Sequence, residues 1–103
     1  YYVEHAERNV IYKAAERGLP TQGLYMCCPW YSCCDCARAI IQAGITKVIG
    51  HQKMFDLMPD RWKDSCKKGI DMMKEAGIIC VYWEGNVGED LFSLRVNERE
   101  FYP

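Results

Sequence analysis

The sequence predicts an α/β domain in which helices pack on a largely parallel sheet. Three observations predict it. Amphipathic stretches alternate with short apolar runs, glycines follow the amphipathic stretches, and the longest apolar run is rich in β-branched and aromatic residues. Right-handed crossovers between parallel strands then lay the helices on the sheet.

Over residues 4–17, Val10, Ile11, Ala14 and Ala15 recur at helical spacing, and Gly18 with Pro20 ends this first helix. Residues 24–28, between Gly23 and Pro29, read as a short buried strand. Residues 34–43 carry an apolar stripe of Ala37, Ile40 and Ile41, with Gly44 placed as the C-terminal cap of a second helix. Residues 46–49 read as the next strand, and residues 51–60, which contain Pro59, as a loop. Trp62, Cys66, Ile70 and Met73 step at helical spacing up to Gly77, giving a third helix. Residues 78–83 form the long apolar strand, and residues 91–96 a weaker one. There is no repeat, low-complexity tract or linker, and 103 residues give room for one domain with one core.

Thirteen basic residues stand against fourteen acidic ones, for a formal charge of -1, which disfavours a protein held to nucleic acid by net charge. No apolar run is long enough to span a membrane. Residues 1–5 lack a basic region followed by an apolar stretch, so no secretory leader is expected in them. The chain begins at Tyr1 instead of Met, which points to processing or to residues upstream. Five of the seven cysteines fall within residues 27–36, too close together to staple distant parts of a fold. Metal ligation in a reducing compartment therefore outranks a disulfide framework, and a cytoplasmic location is expected.

Chemistry concentrates at two places, His5-Ala6-Glu7-Arg8-Asn9 and Ser32-Cys33-Cys34-Asp35-Cys36, each at the expected start of a helix. Taken alone, both have ordinary readings. The first is a solvated helical turn with Glu7 near the positive end of the dipole. The second is a redox dithiol or half of a zinc site. Together they offer one His and two Cys, three ligands that leave a fourth tetrahedral position on Zn²⁺ for water, as in a catalytic site. Helix dipoles at both starts favour thiolates over thiols. Two thiolates cancel the charge of the ion, so a nearby base becomes useful for taking a proton from water, and Glu7 is placed for that.

A His-x-Glu followed by a Pro-Cys-x-x-Cys is the pattern of the zinc deaminases of nucleobases, and all of it but the Pro is present here. With the surrounding Trp30-Tyr31-Ser32-Cys33-Cys34-Asp35-Cys36-Ala37-Arg38-Ala39-Ile40 and Arg61-Trp62-Lys63-Asp64-Ser65, the chain resembles the deoxycytidylate (dCMP) deaminases of the cytidine deaminase superfamily, in their short phage form. The resemblance implies a three-layer α/β/α cytidine deaminase-like fold with a mostly parallel central sheet. It implies one catalytic zinc ion per chain, on His5, Cys33 and Cys36. The implied reaction is hydrolytic deamination of dCMP to dUMP with release of ammonia, through a zinc-activated water and Glu7 as proton shuttle, supplying dUMP for thymidylate synthesis. The Ala6 N–H is suited to the base O2 and the Tyr31 carbonyl to the amino group. Asn9 tilts the reading toward dCMP. Trp30 has two roles open to it, stacking on the pyrimidine or core packing. A homo-oligomer, hexameric or dimer-based, is implied, with regulation by a deoxynucleoside triphosphate, in the host cytoplasm if the gene is a phage's.

The chain departs from the pattern in two ways. Ser32 stands where the family usually has Pro, which loosens the loop unless the serine caps backbone donors. The helix and strand hairpin with which members normally begin are expected upstream of Tyr1. Two other readings stay open: a same-fold deaminase of single-stranded DNA or tRNA, and a noncatalytic zinc or redox module, which would have no use for Glu7. Cys34 is expected to point away from the metal, Cys27, Cys28, Cys66 and Cys80 to pack, and His51 to lie at the surface. Phe92, Phe101 and Tyr102 are expected to pack against the domain or a neighbouring subunit. Arg38, Lys53, Arg61 and Arg95 are the candidates for holding a phosphate.

Overall fold

The computed structural model describes residues 4–29, 32–84, 94–96 and 99–101, the last two groups as backbone strands. The elements are α1 (Ala6–Glu16), β1 (Tyr25–Cys27), α2 (Cys34–Gln42), β2 (Lys47–His51), α3 (Gln52–Asp56), α4 (Asp60–Glu75), β3 (Ile79–Trp83), β4 (Leu94–Val96) and β5 (Arg99–Phe101). The first three strands form a parallel sheet in the order β1-β2-β3, with Met26 beside Val48 and Val48 beside Cys80.

Strands that follow one another in both sequence and space, joined by right-handed crossovers, place their connecting helices on one face. On that face Met26 and Val48 share a core with Ala37 and Ile40 of α2 and Cys66 and Met73 of α4. The opposite face carries Tyr25, Ile79 and Trp83, which are 65%, 59% and 42% exposed. The α/β class and the parallel sheet are therefore as the sequence predicts.

Several elements differ from the sequence reading. Residues 24–28 are not buried throughout: Met26 and Cys28 are buried, whereas Leu24 and Tyr25 are exposed, Tyr25 on the sheet face away from the helices. The segment read as a loop after residue 50 continues β2 through His51 and then forms α3. Two features favour that short helix: Met54 and Met58, one turn apart, are both buried, and Gln52 Nε2 donates to Asp56 Oδ1 at 2.9 Å. His51 is buried rather than on the surface, since the extended strand pairs it in register with Trp83. Trp62 does not join the buried stripe of α4, which is Cys66, Gly69 and Met73; its ring instead lies under the Arg61 guanidinium. Cys27 is exposed, whereas Cys28 and Cys66 are buried as expected. The weaker strand falls on β4, which pairs antiparallel with β5. Phe92, Tyr102 and the side chain of Phe101 lie outside the described residues.

Gly44 ends α2 as the sequence predicts. Its φ of +78° suits glycine, and a Cβ there would come 3.1 Å from Gln22 Cα. The Gly44 carbonyl accepts from Gly23 N–H at 2.9 Å, and the Thr21 hydroxyl donates to the Ala43 carbonyl at 2.7 Å, so the loop before β1 is tied to the end of α2. Among the described residues no helix is long and apolar enough to cross a membrane.

Candidate active site

Both candidate cysteine ligands come from the start of α2, which follows β1 in the chain. In an open parallel sheet this is the carboxyl edge of the strands, where ligands bind. His5 is the residue that begins α1 and Cys33 the residue that begins α2, and neither side chain caps its own helix. They turn instead toward each other. His5 Nδ1 lies 3.5 Å from Cys33 Sγ and 3.3 Å from Cys36 Sγ, and the three donor atoms all lie within 4.8 Å of one another.

A tetrahedral zinc with bonds of about 2.0–2.3 Å has edges between ligand atoms of about 3.5 Å. The three donors thus stand at the spacing one zinc ion requires. Their burial is graded: Cys36 is buried, Cys33 half-buried and His5 exposed. None of the seven cysteines is in a disulfide. Cys34 stays out of the cluster and donates its thiol to the Ser65 carbonyl at 3.3 Å.

Glu7 sits half-buried in the first turn of α1 and is not one of the three donors. Its charge reaches the surrounding sulfurs. Burial, then Glu7 and Cys33, push the Cys36 thiol far above its ordinary range. Cys28 is pushed up to about 12, by burial first and by Glu7 next. A buried thiol beside a carboxylate ionises only when a cation compensates, and the donor set has the chemistry for that cation to be zinc.

Ala6 and Asn9 are exposed on the same short stretch of α1, and Asn9, one turn beyond His5, shares its face. A hollow of about 230 Å³ opens beside Glu7, lined also by Ala6, Val10, Met26, Cys28 and Pro29. Trp30 and Tyr31, the other two expected substrate contacts, lie outside the described residues. Ser32 is 1% exposed, and α2 has no side-chain cap of its own. Of the phosphate candidates, Arg38 pairs with Asp35 on the exposed side of α2 and Arg61 lies over Trp62. The side chain of Arg95 is outside the described residues.

Three residues near the site were not anticipated. The Arg8 guanidinium, its Nε 2.8 Å from Glu4 Oε1, faces Cys36 and Cys33; burial acts to lower its pKa, but these neighbouring charges raise it. Ser65 and Gly69 of α4 touch the start of α2. Ser65 closes the Arg61–Ser65 segment that carries the resemblance, without a site role being read from it, and Gly69 shows only as a glycine inside an otherwise regular helix.

Comparison with known proteins agrees with this geometry. The family described as "Cytidine and deoxycytidylate deaminase zinc-binding region" matches residues 2–52, the span that holds all three donors and Glu7. The deoxycytidylate deaminase of Enterobacteria phage T2 is 35% identical over 86 residues, covering 82% of this chain and 43% of its own. That of Enterobacteria phage T4 is 35% identical over 88 residues, covering 82% of this chain and 45% of its own. The chain therefore spans a little under half the length of these curated relatives. The crystal structure of the dCMP deaminase from cyanophage S-TIM5 in apo form superposes with a TM-score of 0.63 at 27% identity, covering 80% of this chain and 55% of that one. Its complex with dCMP and dUMP superposes at 0.61. With a His/Cys/Cys donor set suited to zinc inside the matched region, the chain belongs to the family of cytidine and deoxycytidylate deaminases.

Proposed function

We propose that this chain carries the catalytic site of a dCMP deaminase, converting dCMP and water to dUMP and ammonia. The observation that carries the reading is the pairing of an open three-donor cluster with Glu7, a half-buried carboxylate beside it that is not one of its donors. A structural zinc site closes with a fourth ligand and needs no such group. The choice of dCMP is supported by the phage relatives that bear that activity in their names and by the cyanophage complex with dCMP and dUMP.

Zinc, when bound, supplies the Lewis acidity that makes water a nucleophile near neutral pH. Glu7 moves the protons. Its carboxylate takes one from the water that adds to C4 and gives it to N3. It then takes the second from the new hydroxyl and gives it to the amino group, which leaves as ammonia. The exposed Ala6 N–H is free of the helix ladder by its position in the first turn and is assigned to the base O2. Asn9 is assigned to the sugar side, the Tyr31 carbonyl to the amino group and Trp30 to stacking on the ring.

The same reading includes a homo-oligomer, supported by the exposed Tyr25, Ile79 and Trp83 on one sheet face. Regulation by a deoxynucleoside triphosphate, a role in thymidylate supply and a cytoplasmic location rest on the family resemblance and the reduced cysteines. The test is ammonia release from dCMP, CMP, deoxycytidine and single-stranded DNA by the purified zinc-loaded protein. Fastest release from dCMP is expected; release from single-stranded DNA with none from dCMP overturns the substrate assignment.

A further inference from the structure

A helix normally begins with a side-chain oxygen that accepts one of the first backbone N–H groups, which otherwise have no partner. At α2 this cannot come from the first residue, because Cys33 turns its sulfur to His5 Nδ1. Another helix fills the gap. The Cys34 N–H donates to Ser65 Oγ of α4 at 3.2 Å, and the Cys34 thiol donates to the Ser65 carbonyl at 3.3 Å.

One turn further along α4, the backbone of Gly69 presses on the same segment. A Cβ on Gly69 would stand 2.7 Å from the Ser32 carbonyl oxygen and 3.3 Å from the Cys33 carbonyl oxygen. These are backbone atoms and cannot swing aside as a flexible side chain can. Glycine is a poor helix former in mid-helix, so its place inside the sixteen-residue α4 is explained by this close approach. The buried Ser32 stands directly before the first proposed ligand, with its carbonyl against Gly69.

We propose that Ser65 and Gly69 are positioning residues of the metal centre, a seat on α4 that holds the first turn of α2 so that Cys33 and Cys36 keep their sulfurs toward His5. Ser65 replaces the missing cap, and Gly69 lets α4 come near enough for Ser65 to reach. Neither touches the metal. The inference rests on the zinc-centre reading and not on the identity of the substrate.

The experiment measures zinc affinity of the full chain by competition with a chromophoric chelator, together with the thiolate-to-metal absorption of the Co²⁺-substituted protein. Ser65→Ala is expected to weaken zinc binding roughly 10- to 100-fold, as is usual when a group supporting a ligand is lost, and to alter the cobalt spectrum. Ser65→Thr, which keeps the hydroxyl, is expected to restore most of the affinity, and Gly69→Ala to act in the same direction as Ser65→Ala. Ile70→Ala, on the same helix but packed against the core, serves as the control: it should lower Tm and leave zinc affinity near wild type. Zinc affinity of Ser65→Ala within about twofold of wild type, or equal zinc loss in Ile70→Ala, overturns the proposal. Metal retention is read without substrate, so failure of the dCMP assignment leaves this result standing.

Discussion

His51 and Trp83 meet edge to face at the ends of β2 and β3, with ring centroids 5.2 Å apart and planes at 69°. They are also a register pair of the parallel sheet. The contact joins a buried ring to a partly exposed one and fixes the carboxyl edge next to Pro29, whose carbonyl accepts the His51 N–H at 3.1 Å. Since an aromatic pair of this geometry contributes about 0.5–1.5 kcal/mol beyond area burial, a double-mutant cycle of His51→Ala and Trp83→Ala should give a coupling energy in that range by denaturant unfolding. Additive effects would mean that the rings pack independently.

The proposed metal ligands can be told apart from the other cysteines. Cys33→Ala and Cys36→Ala should each abolish stoichiometric zinc binding, whereas Cys34→Ala, which loses only the contact to the Ser65 carbonyl, should still take up one zinc per chain. Metal content by atomic emission after dialysis against excess zinc checks this. Equal loss from Cys34→Ala contradicts the ligand set.

Glu7→Gln should keep zinc and the fold while losing turnover. General acid-base catalysis by one group contributes about 10²- to 10⁴-fold, and here one carboxylate serves successive transfers, so the loss should reach the upper end of that range. Single-turnover assays with dCMP measure it. Residual activity above about a tenth of wild type, far outside that range, means that Glu7 is not the proton shuttle.

Alkaline pH should weaken the fold through two core thiols. Burial first, with help from Glu7, raises Cys28 to about 12, and burial first raises Cys66 to about 11, both from an ordinary 9.0. A group whose folded pKa is raised contributes stability that is complete below its unfolded pKa, here 9.0, and is lost as pH climbs toward 11 and 12. The denaturation midpoint should therefore fall between about pH 8 and about pH 10. At the same alkaline pH, iodoacetamide should label the exposed Cys27 well before its buried neighbour Cys28, as read by mass spectrometry. Equal labelling of the pair contradicts the burial argument.

The metal centre was more legible in the sequence than its surroundings. His5, Cys33 and Cys36 are read from residue type and spacing because ligand chemistry demands those atoms, and helix periodicity places them at two helix starts. His51 was misread because its burial depends on where β2 stops and on the register with Trp83, both settled by tertiary pairing. Tyr25 looks like core by composition, yet it is exposed because its strand turns it to the sheet face away from the helices, which no local pattern reveals. Ser65 and Gly69 act on a segment about thirty residues away. A lone glycine in a helix signals a close approach but does not name what approaches.

His5 and the first cysteine it meets are 28 positions apart in the chain, so an ion shared between them closes a ring of polypeptide that includes all of α1. This bears on α1 above all, because the helix buries none of its residues completely. With zinc bound, its attachment would depend on the ion to a degree that α2 and α4, each with three buried residues, would not share. Stripping the metal should therefore raise amide exchange along α1 first, with the loop carrying Gly18 becoming open to proteases. Glu7 rides on that helix, so a chelator would take away the ion and unfasten the proposed base in one event. Loss of turnover on chelation then measures the sum of two disabled parts, and only re-addition of zinc to a chain still closed at α1 can apportion it.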